Sequence, residues 1–288
     1  MLTSLANDRI KLARALQAQR KTREKEGRFV IEGTRLIEEA LRAGAKFDFA
    51  LFTAEPDDRA RGALGRLREA GAMAIEVSPE VMRACSDTES PQGVLAVVFA
   101  PTPDPSPVAE QHRDRRGESA PTLPHLHTPL LLICDRLSDP GNLGTLLRAA
   151  AAAGVEAALL APGCVDAFNP KVIRGGMGAH FRVQIESLDW NQISDKTKDT
   201  RMRLADMESP IRHLPRKAAT RYDLADWTLP SALIIGSEAE GPSDSARALA
   251  AETVFIPMPG GTESLNAAMA GVIVLFEAVR QRGAMGNS

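Results

Sequence analysis

No long hydrophobic run interrupts this 288-residue sequence. The longest, Ala267 to Phe276, falls short of the roughly 20 residues that carry a helix across a bilayer, and the first residues lack the apolar core of a secretory leader. Cysteine is scarce. Cys85, Cys134 and Cys164 are odd in number and widely spaced, which argues against a disulfide framework and predicts reduced thiols in a cytoplasm. Histidine is equally thin, and no ligand cluster accompanies His125 and His127, so no metal is expected. Neither a phosphate-binding GxxxxGK[ST] loop nor a GxGxxG fingerprint is present, which weakens ATPase and dehydrogenase readings. Charge of one sign is also lacking: 35 basic residues face 37 acidic ones, a balance that argues against indiscriminate binding to polyanions.

What charge there is sits unevenly. Residues 9 to 28 hold eight Lys and Arg against two Glu, in a stretch that reads as an amphipathic helix, a basic run and a strand from Phe29 to Ile31. Such a segment contacts phosphates without making the whole surface adhesive, although a solvated charged helix has the same composition. Alternating patterns follow: helix Thr34–Ala43, strand Asp48–Thr53, helix Asp57–Ala70, strand Ala74–Val77, helix Pro79–Cys85 and strand Val94–Phe99. Together they predict a compact α/β domain over residues 1–100. From Pro101 to Pro129 there are seven prolines in 29 residues, a composition that buries too little apolar surface to order itself and predicts an extended linker.

Residues 130–288 repeat one pattern. Pro129–Asp135 is an apolar run of strand length, followed by the polar loop Arg136–Asn142 and an Ala/Leu helix closed by Gly154. Ser231–Ile235 is a second such run, followed by Gly236–Gly241 and a helix over Ser243–Ala251. Unbroken apolar strands alternating with helices predict a parallel sheet covered on both faces, with ligands at the loops beyond the strands' carboxyl ends. Near the C-terminus, Ile256–Thr262 reads as an irregular loop and Leu265–Ala278 as a buried helix, with Ser264 placed to cap it. Asn266 then falls one step inside an Ala-rich helix start, where its amide needs a partner, from the protein or from a ligand. Arg148, six residues after Asn142, is able to reach back toward the loop that holds it. Taken alone, Arg148 reads as a solvated helix arginine.

Three segments, DPGNLGTLLRAA (Asp139–Ala150), IIGSEAEG (Ile234–Gly241) and IPMPGGTESLNAAMA (Ile256–Ala270), occur in order and together resemble the motifs of the SpoU/TrmH family of the SPOUT superfamily. Asn169–Ile185 is similar to the segment between the first two. The resemblance implies an S-adenosylmethionine-dependent methyltransferase acting on the ribose 2′-hydroxyl of structured RNA. It implies a parallel-sheet domain with a deep trefoil knot, and a homodimer for which the helices over Asn266–Arg280 and after Asn142 are interface candidates. It further implies a catalytic centre of Asn142, Arg148, Glu238, Ser264 and Asn266, with Gly236, Ile256, Met258 and Leu265 at the cofactor. The chain departs from the usual family pattern at Gly176, Ala239 and Ala268, none of which carries an assigned chemical role.

The opening FVIEGTRLIEEAL (Phe29–Leu41) is similar to the RNA-binding domain that precedes the catalytic domain in many of these enzymes, whose fold resembles RNA-binding ribosomal proteins. Ribosomal RNA is therefore favoured over transfer RNA as the substrate, with Arg9, Lys11, Arg20, Lys21 and Arg23 as candidate RNA contacts. Two rival functions remain: a non-catalytic RNA-binding protein on the same fold, and an enzyme acting on a small nucleotide. Arginine is normally too basic to accept a proton. The role expected for Arg148 is therefore to hold a substrate phosphate and stabilise developing alkoxide charge.

Overall fold

The computed structural model describes residues 1–101, 128–206, 219–237 and 240–284. Glu238, Ala239 and nearly all of the linker lie outside the described residues. Two compact units are present. The first comprises Met1–Thr102 and, discontinuously, Asp166–Arg182, and the rest of the chain makes the second.

In the first unit, strands β1 (Arg28–Glu32), β2 (Phe47–Thr53), β3 (Met73–Val77) and β4 (Val94–Phe99) form a sheet in the order β1-β4-β2-β3. Only the β2–β3 pair is parallel; β4 runs antiparallel to both its neighbours. Alternate residues of each strand face opposite sides, and both sides are apolar. Helices α1 (Asp8–Ala18) and α5 (Pro79–Cys85) lay Ile10, Ala13, Leu16, Val81 and Met82 against Val30, Phe49, Leu51, Leu95 and Val97. On the other side, α3 (Thr34–Arg42) and α4 (Asp58–Glu69) cover Phe29, Ile31, Ala96 and Val98 with Leu36, Ile37, Leu64 and Leu67. The predicted elements are thus present with shifts of one or two residues, and Asp57 proves to be the cap of α4 rather than its first residue. The basic run is itself helical: α2 (Arg20–Glu26) ends at Gly27, whose φ of 58° is left-handed.

One part of this core was invisible to a linear reading. Residues 166–182, inside the stretch assigned by sequence to the second domain, join the first unit. Ile173 of the short helix α7 (Pro170–Gly176) is 2% exposed in the same cluster as Phe29, with Phe168 and Phe181 packed against it. The Phe29 and Phe168 ring centroids are 4.9 Å apart, and the Arg23 guanidinium is 2.7 Å from the Asp166 carboxylate.

The second unit is built on seven parallel strands in the order β7-β6-β5-β10-β8-β11-β9. The central ones are β5 (Leu130–Cys134) and β10 (Ser231–Ile235), each buried at all five positions, as unbroken apolar runs predict. They are flanked by β6 (Ala157–Leu160) and β7 (Gln184–Ser187) on one side and β8 (Arg201–Ala205), β11 (Glu252–Phe255) and β9 (Ala219–Arg221) on the other. Ile193 of α8 (Trp190–Lys196) and Ala246 of α9 (Asp244–Leu249) lie in a core cluster with Ile133, Leu159 and Ile234. Helices α6 (Pro140–Ala152) and α10 (Ala267–Ala284) pack on each other and α10 on β10. That packing is tight at Gly271. A Cβ there would lie 2.5 Å from Leu146 Cδ1 and 3.3 Å from Ile235 Cγ1, so an added methyl would force the Leu146 side chain to shift.

Two helix starts differ from expectation. The α6 helix begins at Pro140 rather than after Asn142, because Asp139 caps it and proline, with its fixed φ and no N–H to satisfy, suits the first helical position. At α10 the cap is Asn266 and not Ser264. The Asn266 side-chain oxygen accepts the Met269 N–H at 3.2 Å and its carbonyl accepts the Ala270 N–H at 3.0 Å. Asn266 is consequently exposed and just outside the helix rather than one step within it.

Candidate active site

The loops that follow β5, β10 and β11 lie at the carboxyl ends of parallel strands, where α/β sheets present ligands. The first leads into α6. Asp139 Oδ1 accepts the Asn142 N–H at 2.7 Å, which satisfies the Asn142 backbone within the first turn and leaves its side chain for other partners. One of these is Asn266, 124 positions later, whose Nδ2 donates to Asn142 Oδ1 at 2.8 Å. The orientation follows from the helix cap. Because Asn266 must offer its oxygen to Met269, its nitrogen faces Asn142, and Asn142 must answer with its oxygen. Two residues predicted from separate motifs are thereby brought together.

Arg148 lies six positions further along α6, about 9 Å of axial rise. It is exposed, and no partner for its guanidinium occurs among the described residues. Ser264 is exposed on the segment leading to Asn266. Glu238, the remaining predicted catalytic residue, lies outside the described residues.

The residues predicted to contact a cofactor have a consistent character. Gly236 follows β10, and a Cβ on it would lie 3.0 Å from both the Cα and the N of Pro242, so a side chain there would have to displace the Pro242 backbone. Ile256, Met258 and Leu265 are half-buried apolar residues on the segment after β11. Met258 also turns the chain, its carbonyl accepting the Gly261 N–H at 3.0 Å. Apolar walls, tight backbone and no ionised side chain suit a flat, neutral nucleobase, with main-chain groups to read its edge. This donor set fits the nucleoside part of S-adenosylmethionine.

Sequence reasoning missed the pair ahead of α6. Asp135 is fully buried, and its Oδ2 accepts the Ser243 N–H at 2.6 Å. Arg136, at φ 55°, donates to the Gly241 carbonyl at 3.0 Å. By sequence the two residues are merely a strand end and the start of a polar loop. A charged pair closing an otherwise apolar strand was the available signal.

In the first unit the predicted RNA contacts divide. Arg9, Lys11, Arg20 and Lys21 are exposed. Arg23 is turned inward and 7% exposed, donating to Asp166 at 2.8 Å and to the Leu16 carbonyl at 2.5 Å. Its guanidinium is engaged inside the unit, which corrects its assignment as an RNA contact. Spacing along the basic run could not distinguish the inward face of α2 from its outward faces.

Residues 129–276 match the SpoU rRNA Methylase family and residues 7–96 the MRM3-like substrate binding domain. The chain belongs to the SpoU rRNA methylase family. It is 38% identical to mouse mitochondrial rRNA methyltransferase 3 over 90% of this chain and 69% of the relative. The crystal structure of an AdoMet-bound rRNA methyltransferase from Sinorhizobium meliloti superposes with a TM-score of 0.76 at 26% identity, covering 97% of each chain. That of an RNA 2′-O ribose methyltransferase gives a TM-score of 0.72 at 32% identity over 98% of each chain.

Proposed function

We propose that this protein transfers a methyl group from S-adenosylmethionine to a ribose 2′-hydroxyl of ribosomal RNA. The observation that carries the reading is the Asn266–Asn142 hydrogen bond, which joins the first and last motifs at the ends of parallel strands, one residue from Leu265 and six from Arg148. Family membership and the rRNA and 2′-O ribose methyltransferases among its relatives support the substrate and the atom modified.

A ribose hydroxyl is a weak nucleophile, and S-adenosylmethionine, when bound, supplies a methyl group already activated by its sulfonium. The protein's own residues then have two tasks, to orient the hydroxyl and to ease loss of its proton. Asn142 orients, its amide plane fixed by Asn266. Arg148, exposed on α6, holds a phosphate of the RNA and stabilises negative charge on the 2′-oxygen. Ser264 and Glu238 complete the centre.

The first unit carries the RNA. Its exposed Arg9, Lys11, Arg20 and Lys21 lie on α1 and α2, and Lys11 and Arg14 border a shallow cleft with Gln17, Gln19 and Ser86. The protein acts as a homodimer through α10, which exposes Met269 and Phe276, 54% and 45% accessible and two turns apart on one face. Its C-terminal strands and helix form a trefoil knot, a reading supported by the place of β10 between β5 and β8. Cys85, Cys134 and Cys164 are free thiols, which a reducing, cytoplasmic compartment suits.

Ribose-methylation mapping of total RNA from cells with and without the gene tests the reaction. One missing 2′-O-methyl in ribosomal RNA is expected; an unchanged map would overturn the reading, and a loss confined to transfer RNA would overturn its substrate. With the RNA so identified, Arg148→Lys keeps the charge but loses the two-pronged donor geometry. A fall of at least tenfold in single-turnover methylation is expected, and full retention would show that the paired donors of Arg148 play no part in the reaction.

A further inference from the structure

The residues from Glu240 to Ser243, which lead from the turn after β10 into α9, are held by polar contacts. Three contacts reach them from Asp135 and Arg136, which follow β5, and a fourth reaches the last residue of β10. The Asp135 N–H donates to the Ile235 carbonyl at 2.9 Å, just before the loop begins, and Asp135 Oδ2 accepts the Ser243 N–H at 2.6 Å where it ends. Between these, Arg136 Nη2 donates to the Gly241 carbonyl at 3.0 Å, and Nη1 lies 2.7 Å from a Glu240 carboxylate oxygen.

The backbone of Arg136 is costly to maintain. Its φ of 55° lies in the left-handed region, which Gly or Asn enters more readily than Arg. Surrounding structure enforces it. The Leu137 carbonyl accepts the Val165 N–H at 2.9 Å, and Gly163, itself at φ 92°, leaves space where a Cβ would lie 3.0 Å from Arg136 Cγ. A turn needing only a left-handed residue would be served by glycine. An arginine in this conformation is accounted for by where its guanidinium goes, and both of its donors that reach a partner reach the loop.

The charges are coupled as well. Asp135 Oδ1 is buried without a hydrogen-bond partner among the described residues, and the nearest cation is Arg136, whose Nε is 3.9 Å away and likewise unpartnered. Removing the guanidinium therefore both releases Gly241 and leaves a buried carboxylate less compensated.

We propose that Asp135 and Arg136 are positioning residues that brace the segment from Glu240 to Ser243, which packs against Gly236, setting the affinity for S-adenosylmethionine through the shape of that segment without touching the cofactor. This rests on the reading that Gly236 contacts the cofactor, and the test separates the two. Arg136→Asn keeps a side chain that tolerates the left-handed backbone and loses the brace; Arg136→Lys keeps the charge and loses the paired donors.

Calorimetry of S-adenosylmethionine on the full chain is expected to give a Kd about tenfold weaker for Arg136→Asn, the weight of one or two hydrogen bonds, with Arg136→Lys in between. KM for the cofactor rises in step while kcat at saturation stays within about threefold, since the brace acts on the loop rather than on the reacting groups. Amide hydrogen exchange without any ligand gives the independent readout, because the Ser243 N–H is held by Asp135: its exchange is expected to quicken at least tenfold in Arg136→Asn. Unchanged exchange at Ser243, or a Kd within twofold of the parent in both variants, overturns the brace. A parent protein that takes up no S-adenosylmethionine overturns the cofactor reading, while the exchange result still decides whether the loop is braced.

Discussion

Asn266 donates a hydrogen bond to Asn142 at 2.8 Å while its own oxygen accepts the first-turn amide of Met269 at 3.2 Å. A single side chain thus caps α10 and fixes the amide plane of a residue on α6. The sequence reading placed the cap at Ser264 and left the Asn266 amide in need of a partner; capping and site geometry prove to be two ends of that one amide.

The two roles separate in Asn266→Asp. The carboxylate still offers an oxygen to Met269, so the melting temperature is expected to stay near that of the parent. The donor to Asn142 is gone, and misplacement of Asn142 is expected to lower single-turnover methylation about 100-fold. Asn266→Ala should lose the same activity and, in addition, about 1 kcal/mol of cap stability in urea unfolding. An aspartate variant with the parental rate would show that Asn142 does not depend on Asn266.

Gly271 allows α10 to rest on α6. Its replacement by Ala gains helix propensity of about 1 kcal/mol but sets a methyl 2.5 Å from Leu146 Cδ1, in a core where Leu146 is fully buried. Overpacking is expected to prevail, with a net destabilisation of about 1–2 kcal/mol by urea titration. Stabilisation instead would mean that Leu146 has room to move.

The buried pair of Arg23 and Asp166 ties residues 166–182 into the first unit, with side chains only 6% and 13% exposed. Asp166→Ala leaves the guanidinium uncompensated and is expected to cost about 3–5 kcal/mol, whereas replacing both partners by Met and Leu recovers most of it. The exposed Lys21 is the contrast. Lys21→Glu should leave stability within about 0.5 kcal/mol and weaken RNA binding, with a smaller dependence of affinity on salt. Equal stability loss in both positions would contradict the division drawn between inward and outward faces of α2.

His180 is 2% exposed, its Nε2 donating to the Ala167 carbonyl at 2.7 Å. Burial holds its pKa down at about 4, against about 6.5 when exposed. Between those values the unfolded chain binds a proton that the folded chain does not. Stability is therefore complete above pH 6.5 and falls as pH drops toward 4, by roughly 3 kcal/mol over the window. Denaturant titrations across pH 4–7 should show this slope in the parent and a shallower one in His180→Gln. Equal slopes would mean that His180 titrates alike in both states.

Much of the site was legible in the sequence because its parts are local. Strand-length apolar runs, the glycines after them and the polar residues opening α6 and α10 each obey short-range rules, whereas the roles expected of Asn142, Gly236 and Asn266 came with the resemblance of their segments to the family's motifs. The helix caps were less legible. The α6 helix is capped by Asp139, inside the loop read as running to Asn142, and Asn266 takes the cap expected at Ser264; the choice depends on which backbone amides are free once the helices pack.

The sequence by itself determined the family, the parallel sheet of the second unit, and the elements of the first to within a residue or two, since periodicity and motif order are properties of the chain. Only the tertiary structure decided that residues 166–182 belong with the first hundred, that Arg23 faces inward while Lys21 does not, and that Asn142 meets Asn266. Those outcomes depend on contacts between positions more than a hundred residues apart, and a charged or amide side chain carries no local mark of the partner it will find.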